Sequence, residues 1–149
     1  MPKKRRVKCP GCAKETPRAG YKYCSNVCQI EYQYSSYIKR WKAGQESGLK
    51  TTGIVSRPVK RYLRRKFENK CCLCGWAEVN PKTRQVPLVA DHIDGNWRNN
   101  TESNLRLLCP NCDALTLTYA GLNKGNGRVN RARSKRAQEG RLLVMNTPG

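Results

Sequence analysis

The chain contains one histidine, His92, in the segment DHIDGN at residues 91–96. A lone histidine usually has no chemical role, but acidic residues flank this one and cysteine pairs bracket it. Neutral imidazole can take a proton from water, and carboxylates are the hard oxygen ligands that Mg²⁺ and Mn²⁺ prefer. Asp91 and Asp113 are the best-placed pair for such a cation if a strand and a helix bring them face to face. A base and a cation together predict hydrolysis of a phosphodiester bond.

Eight of the nine cysteines form two sets with the spacing of zinc ligands. The sets are Cys9, Cys12, Cys24 and Cys28, and then Cys71, Cys74, Cys109 and Cys112. The N-terminus does not resemble a secretory signal, so we expect a reducing compartment, in which such pairs bind metal rather than form disulfides. Four thiolates leave no open position for water, which predicts two structural Zn²⁺ ions. Cys72 is predicted to be a packed or half-exposed thiol that is not a ligand.

The elements that must position His92 lie between the halves of the second cysteine set. Residues 86–90 and 105–108 are strand candidates, and residues 110–119 are predicted to form a short helix. Zinc would fix the two ends of this hairpin to each other and so supply folding free energy. Gly75 follows the first cysteine pair, where a tight turn requires positive φ.

Residues 1–44 are predicted to form a separate N-terminal module, which consists of a basic arm and a zinc-binding part with one helix. Its helix is expected to begin near Ser25 and to stop at Gly44. Its apolar stripe is interpreted as core rather than as a base-stacking surface, and it consists of Ile30, Tyr34, Tyr37, Ile38 and Trp41. Residues 45–56 are predicted to be a linker. Residues 57–67 are predicted to form a helix whose cations either follow a phosphate backbone or form a solvated face.

These motifs resemble the HNH endonucleases. The resemblance covers residues 71–128 and is carried by DHIDGN at 91–96, NL at 104–105 and CPNCD at 109–113. The segments YCSNVC and YIKRW also resemble the zinc-containing leaders of phage-encoded members. The family implies a small, zinc-stabilised α+β protein with a ββα-metal, treble-clef-like catalytic domain.

The resemblance also implies roles for four residues. His92 would be the general base, Asp91 and Asp113 would hold one Mg²⁺ or Mn²⁺ ion, and Asn104 would hold the loop that carries His92. The chain departs from the family at Asp113, where histidine or asparagine is usual. A second carboxylate favours hard Mg²⁺ or Mn²⁺ over softer metals.

A formal net charge of +20 predicts a polyanionic partner. We expect the partner to be double-stranded DNA, and we expect neither a membrane segment nor an oligomer beyond a homodimer. Arg98, Lys124 and Arg128 are candidate phosphate contacts. The nuclease domain is predicted over residues 57–128 and a basic tail over 129–149.

Three functional alternatives remain at this point. One is a zinc-finger protein that binds DNA without cutting it, another is an enzyme that acts on RNA, and the cut itself is either a nick or a double-strand break. The basic sequence PKKRRV at residues 2–7 is typical of a flexible arm that touches DNA in a bacterial or phage protein, or of a nuclear import signal. We expect the cytoplasm of a phage-infected bacterial cell.

Overall fold

A computed structural model describes residues 5–51 and 53–126, and the chain divides into two compact units between Gly48 and Leu49. The predicted tail at 129–149 and the candidate contact Arg128 lie outside the described residues. Within the described residues, no helix is both long enough and apolar enough to cross a membrane.

The N-terminal unit contains one long helix, α1 (Asn26–Lys42). Ser25 caps its beginning, since the Ser25 hydroxyl accepts a hydrogen bond from the Cys28 amide at 3.2 Å. Gly44 follows its end with φ of +73°, and the Gly44 amide donates to the carbonyl of Trp41. Glycine adopts this left-handed conformation without a Cβ penalty, so the helix stops where the sequence predicts.

The apolar stripe of α1 is buried only in the second half of the helix. Ile38 and Trp41 are buried, and Tyr34 and Tyr37 are half-buried. The prediction that Ile30 belongs to the core is wrong, because this side chain is 57% exposed. A unit of fewer than fifty residues has too little apolar material to cover the first turns of a seventeen-residue helix.

The C-terminal unit begins with a turn and a short helix. Leu49 and Val55 form an isolated antiparallel bridge inside the segment 45–56, and Val55 is buried. Helix α2 (Arg57–Lys66) follows, with proline in its first turn. Val59 and Leu63 lie one turn apart on its inner face and are fully buried.

Two strands form an antiparallel hairpin, β1 (Val89–His92) with β2 (Leu105–Leu108), and His92 pairs with Leu105 at its inner end. The prediction of a first strand at 86–90 was wrong at both of its ends. The Val86 carbonyl accepts hydrogen bonds from the Arg64 guanidinium at 3.2 Å and from the Leu88 amide, so it is not available to a strand partner. Pro87 has no amide hydrogen to donate.

Helix α3 (Pro110–Ala114) is much shorter than the predicted 110–119. The carbonyl of Asp113 accepts both the amide and the hydroxyl of Thr116, at 3.1 and 2.9 Å, which tightens the chain into a turn. A threonine that bonds locally to the backbone in this way competes with helix continuation. The short helix packs against both strands and begins at the zinc-ligand candidate Cys109, which is its N-cap.

The core of the C-terminal unit is continuous with its cysteine group. Leu108 is fully buried and clusters with Cys71 and Cys109, while Trp76 and Leu88 pack against this cluster. Trp76 is therefore a packing residue. The hairpin and the second cysteine group therefore share one hydrophobic core.

Candidate active site

The second cysteine group has the dimensions of a zinc site. The sulfurs of Cys71, Cys74, Cys109 and Cys112 all lie within 4.8 Å of one another, and Cys74 and Cys109 are 3.7 Å apart. Tetrahedral zinc with Zn–S bonds of about 2.3 Å places sulfurs about 3.8 Å apart, so the group fits the ion.

The thiol chemistry of this group also favours a cation. Burial raises the pKa of Cys71, but hydrogen bonds from the backbone amides of Cys109, Cys74 and Leu73 outweigh it and lower the value to about 6. Hydrogen bonds with Cys109 and Cys74 raise the pKa of Cys112 to about 12. A divalent cation at this group would favour the thiolate form of its ligands.

Backbone hydrogen bonds fix the turn that carries Cys71 and Cys74 to the hairpin. Gly75 has φ of +75°, as predicted, and its amide donates to the carbonyl of Cys71. The amide of Cys72 donates to the carbonyl of Leu107 on β2 at 2.9 Å. The Cys72 side chain is exposed, whereas a packed or half-exposed thiol was predicted, and it lies outside the group of four.

The first cysteine group has the same character. The sulfurs of Cys9, Cys12, Cys24 and Cys28 lie within 4.8 Å of one another. The backbone amide of Cys24 lowers the pKa of Cys9 to about 6, while hydrogen bonds with Cys28 and Cys12 raise the pKa of Cys24 to about 12. Cys28 lies in the first turn of α1, whereas Cys24 precedes the N-cap Ser25 and lies outside the helix.

Asp91 lies close enough to Asp113 for its charge to act on the Asp113 carboxyl. Asp91 is on β1, and Asp113 is on α3, which packs against both strands. Burial, followed by the negative charge of Asp91, raises the pKa of Asp113, and Arg106 opposes this. Two hard carboxylates that repel each other in a half-buried site form a donor set that suits Mg²⁺ or Mn²⁺.

Arg106 is part of this acidic site, and the sequence reasoning did not identify it. Its Nε donates to Asp91 Oδ2 at 2.7 Å, and both side chains are largely shielded from water, at 22% and 12% exposure. The contact follows from strand pairing, since Asp91 stands directly opposite Arg106 in the hairpin. The guanidinium thus neutralises one of the two carboxylates.

Asn104 connects the start of β2 to the loop that follows His92. Its carbonyl accepts the Ile93 amide, and its Oδ1 accepts the Asp94 amide at 3.1 Å. Its Nδ2 donates to Asp94 Oδ1 and to the Asn99 carbonyl, both at 2.8 Å. The backbone carbonyl and both polar groups of the buried Asn104 side chain therefore hold residues 93–99 in place by hydrogen bonds.

Asp94 is held in this loop as an ionised acceptor. Burial raises its pKa, but hydrogen bonds from the Asn99 side chain, the Asn96 amide and the Asn104 side chain outweigh this and lower the value. Asn99 Nδ2 donates to Asp94 Oδ2 at 2.7 Å. Asp94 is thereby a structural anchor of the loop, whereas Asp91 belongs to the pair with Asp113.

His92 is half-buried at the end of β1, where its Nε2 lies 2.9 Å from Oδ1 of Asn100. Asn100 is buried, and the sequence reasoning did not identify it. No pattern in the asparagine-rich segment 96–100 distinguishes it from its neighbours. Only the folded loop shows which asparagine contacts the ring.

The loop closes against the chain beyond α3. Gly95 has φ of +71°, and a Cβ there would lie 2.5 Å from Asn123 Oδ1 and 2.7 Å from Thr118 Cγ2. Asn123 Nδ2 donates to the Gly95 carbonyl at 2.7 Å. Only glycine fits this close approach, so the loop that follows His92 rests against residues 118–123.

The candidate phosphate contacts are surface residues. Arg98 and Lys124 are exposed, and the Arg98 guanidinium lies 5.0 Å from the centre of the Trp97 ring. On α2, Arg64 points inward to Asn69 and the Val86 carbonyl, so it does not belong to an outer cationic face. Lys66 pairs with Glu102 at 3.0 Å.

Comparison with known proteins identifies one relative. The chain is 44% identical over 94 residues to "H-N-H endonuclease F-TflIV" of Escherichia phage T5, a match that covers 60% of this chain and 39% of that protein. The chain is thus similar to an HNH endonuclease. It spans about two fifths of the length of this curated relative. No family model and no solved structure matches the chain.

This relationship confirms the resemblance that the HNH motif indicates. The small α+β architecture, with a two-stranded sheet and two groups of four cysteines that could bind zinc, agrees with the predicted class. The residues that the HNH resemblance singles out lie on three parts of one unit: the end of β1, the residue just before β2 and helix α3.

Proposed function

We propose that the chain is a metal-dependent HNH endonuclease that hydrolyses phosphodiester bonds in double-stranded DNA. The observation that supports it most is the placement of Asp91, His92 and Asp113 on a hairpin and a helix that share one group of four cysteines. A protein that only binds DNA has no need of two neighbouring carboxylates on the elements that also carry its single histidine.

In this proposal Asp91 and Asp113 hold one Mg²⁺ or Mn²⁺ ion. When bound, the ion would neutralise negative charge on the scissile phosphate and on the leaving oxygen. The pair fits this role because burial and then the negative charge of Asp91 raise the pKa of Asp113, and a cation would relieve the repulsion between the two carboxylates. The two cysteine groups would each hold a structural zinc ion.

His92 is the proposed general base. Neutral imidazole accepts a proton from the attacking water, and it must keep one orientation to do so. Asn104 supports that orientation through the hydrogen bonds that hold residues 93–99. Exposed cations, Arg98 and Lys124 among them, would contact the phosphates that flank the cut.

The remaining parts of the proposal concern the cut and its setting. One set of Asp91, His92 and Asp113 per chain implies one strand cut per binding event, so a monomer nicks and a homodimer makes a double-strand break. The basic charge favours a nucleic-acid substrate, and the phage relative favours the cytoplasm of an infected bacterial cell.

The test is cleavage of supercoiled plasmid with Mg²⁺ or Mn²⁺, comparing the wild type with His92→Ala. The variant should lose cleavage by at least about 100-fold, since a positioned base contributes about 10²–10⁴-fold. It should keep its affinity for DNA in a binding assay with Ca²⁺. Because the variant is purified in the same way, it also controls for a contaminating nuclease.

Intact plasmid with the wild type in both metals would reject the proposal and leave a DNA-binding zinc protein. A parallel assay on single-stranded RNA decides between the nucleic acids. Relaxed circles without linear product would identify a nicking enzyme.

A further inference from the structure

We infer that Asn100 is the residue that fixes the tautomer of His92, and the inference rests on the proposed role of His92 as a base. The two side chains meet through Nε2 of His92 and Oδ1 of Asn100, 2.9 Å apart. A neutral imidazole carries its proton on one nitrogen and a lone pair on the other. Whichever partner Nε2 has therefore decides which nitrogen can act as a base.

The orientation of the Asn100 amide is determined by its other contacts. Its Nδ2 donates to the carbonyl of Trp97 at 3.0 Å and to the carbonyl of Arg98 at 3.1 Å. A flipped amide would place Oδ1 against these two carbonyl oxygens, which have no hydrogen to offer. Oδ1 must therefore face His92.

An amide oxygen can only accept a hydrogen bond. Nε2 of His92 is consequently the donor in this pair, and Nδ1 carries the lone pair. Within residues 5–51 and 53–126, the structure shows no hydrogen bond that occupies Nδ1. The nitrogen that takes a proton from water is thus Nδ1, and Asn100 makes it the basic one.

Burial gives this contact its strength. Asn100 is 4% exposed, so water competes poorly for Nε2, and an unmet donor there would be costly. Asn100 does not lie among the residues proposed to hold the cation or the substrate. It acts through His92 and is a positioning residue.

Two substitutions separate the acceptor from the loop contacts. Asn100→Ala removes the acceptor oxygen and both amide donors, whereas Asn100→Asp keeps an acceptor oxygen and loses the donors to Trp97 and Arg98. Asn99→Ala is the matched control, because it removes an asparagine side chain from the same loop without contacting His92.

The readout is the nitrogen-15 spectrum of the His92 ring in the zinc-loaded protein without Mg²⁺. The single histidine makes assignment unambiguous. Spectra are recorded about two pH units above the ordinary histidine pKa of about 6.5, so that the ring is neutral. The wild type and Asn99→Ala should show a proton on Nε2 that exchanges slowly with water.

Asn100→Ala should lose this slowly exchanging proton and show a mixture of tautomers, whereas Asn100→Asp should keep it. In plasmid cleavage, kcat should fall about 10- to 100-fold in Asn100→Ala with little change in KM, because a misoriented base impairs the reaction rather than binding. If Asn100→Ala does not fold, the wild-type spectrum decides the question, because a proton on Nδ1 rather than Nε2 would overturn the inference.

A wild-type proton on Nδ1 would overturn the inference, as would loss of the Nε2 proton in Asn100→Asp or its retention in Asn100→Ala. The spectra do not depend on cleavage. If the Nε2 proton changes in the variants as predicted but the protein cleaves no DNA, the tautomer assignment is retained and the nuclease proposal is rejected. If the protein cleaves DNA but carries the proton on Nδ1, the nuclease proposal is retained and the tautomer assignment is rejected.

Discussion

Replacing Arg106 with methionine should destabilise the metal-free site and increase its dependence on a divalent cation. Methionine keeps much of the apolar stem of arginine and removes the guanidinium that pairs with Asp91 at 2.7 Å. Asp91 and Asp113 would then face each other without a counter-charge. The substitution therefore isolates the electrostatic role of Arg106.

The size of the effect follows from the burial of the pair. Breaking a fully buried ion pair costs about 3–5 kcal/mol, and an exposed pair contributes about 0–1 kcal/mol. With side chains 22% and 12% exposed, the Asp91–Arg106 pair lies between these limits, at about 2 kcal/mol. For a unit of this size such a loss lowers Tm by about 8–16 °C.

Thermal unfolding of the zinc-loaded protein, with and without Mg²⁺ or Mn²⁺, measures both effects. The variant should unfold earlier than the wild type without the cation and should recover most of the difference at saturating cation. Arg98→Met is the control, since Arg98 is exposed and lies over the Trp97 ring. Equal Tm values, or an equal response to the cation, for Arg106→Met and the wild type would refute this reasoning.

The other predictions concern the metal group, the loop and the core. Cys112→Ser should unfold the C-terminal unit and lower bound zinc from two ions per chain to one. Cys72→Ser should change neither the folding nor the zinc content. Equal losses of folding and zinc in the two variants would show that the ligands are misassigned. Gly95→Ala should lower Tm and plasmid cleavage, because the added Cβ would collide with residues 118 and 123. Gly121→Ala is the control and should have little effect, because a Cβ there meets nothing within 4 Å. Wild-type Tm and cleavage in Gly95→Ala would contradict the close approach. Leu63→Ala should lower the free energy of unfolding by about 2–5 kcal/mol in a denaturant titration, because Leu63 is fully buried; a loss below about 0.5 kcal/mol would contradict its place in the core.

The parts of the fold that sequence predicts well are those with strong local signals. Ser25 and Gly44 mark the ends of α1 because capping and left-handed conformations depend on a few neighbouring atoms. Cysteine spacing predicts both metal groups for the same reason, since ligand geometry restricts the separations that work. Local chemistry was sufficient in these places.

The parts that sequence did not predict depend on contacts between distant residues. The pairing of Asp91 with Arg106 requires the strand register, which the pattern of residues 86–92 does not specify. The early end of α3 depends on a Thr116 hydroxyl that turns back to a carbonyl. Asn100 stands near three other asparagines, at positions 96, 99 and 104, and only the folded loop shows which of them contacts His92.

Asp113 is separated by a single peptide bond from Cys112, one of the four clustered thiols. Oxidants that convert such thiols to disulfides or sulfenic acids would expel zinc and release the helix that presents the carboxylate. Catalytic competence in this arrangement would follow the redox state of the surrounding cell as well as its supply of zinc. A preparation exposed to air would accordingly lose the proposed nuclease activity but keep its net charge of +20, and a reductant with added zinc would restore the activity.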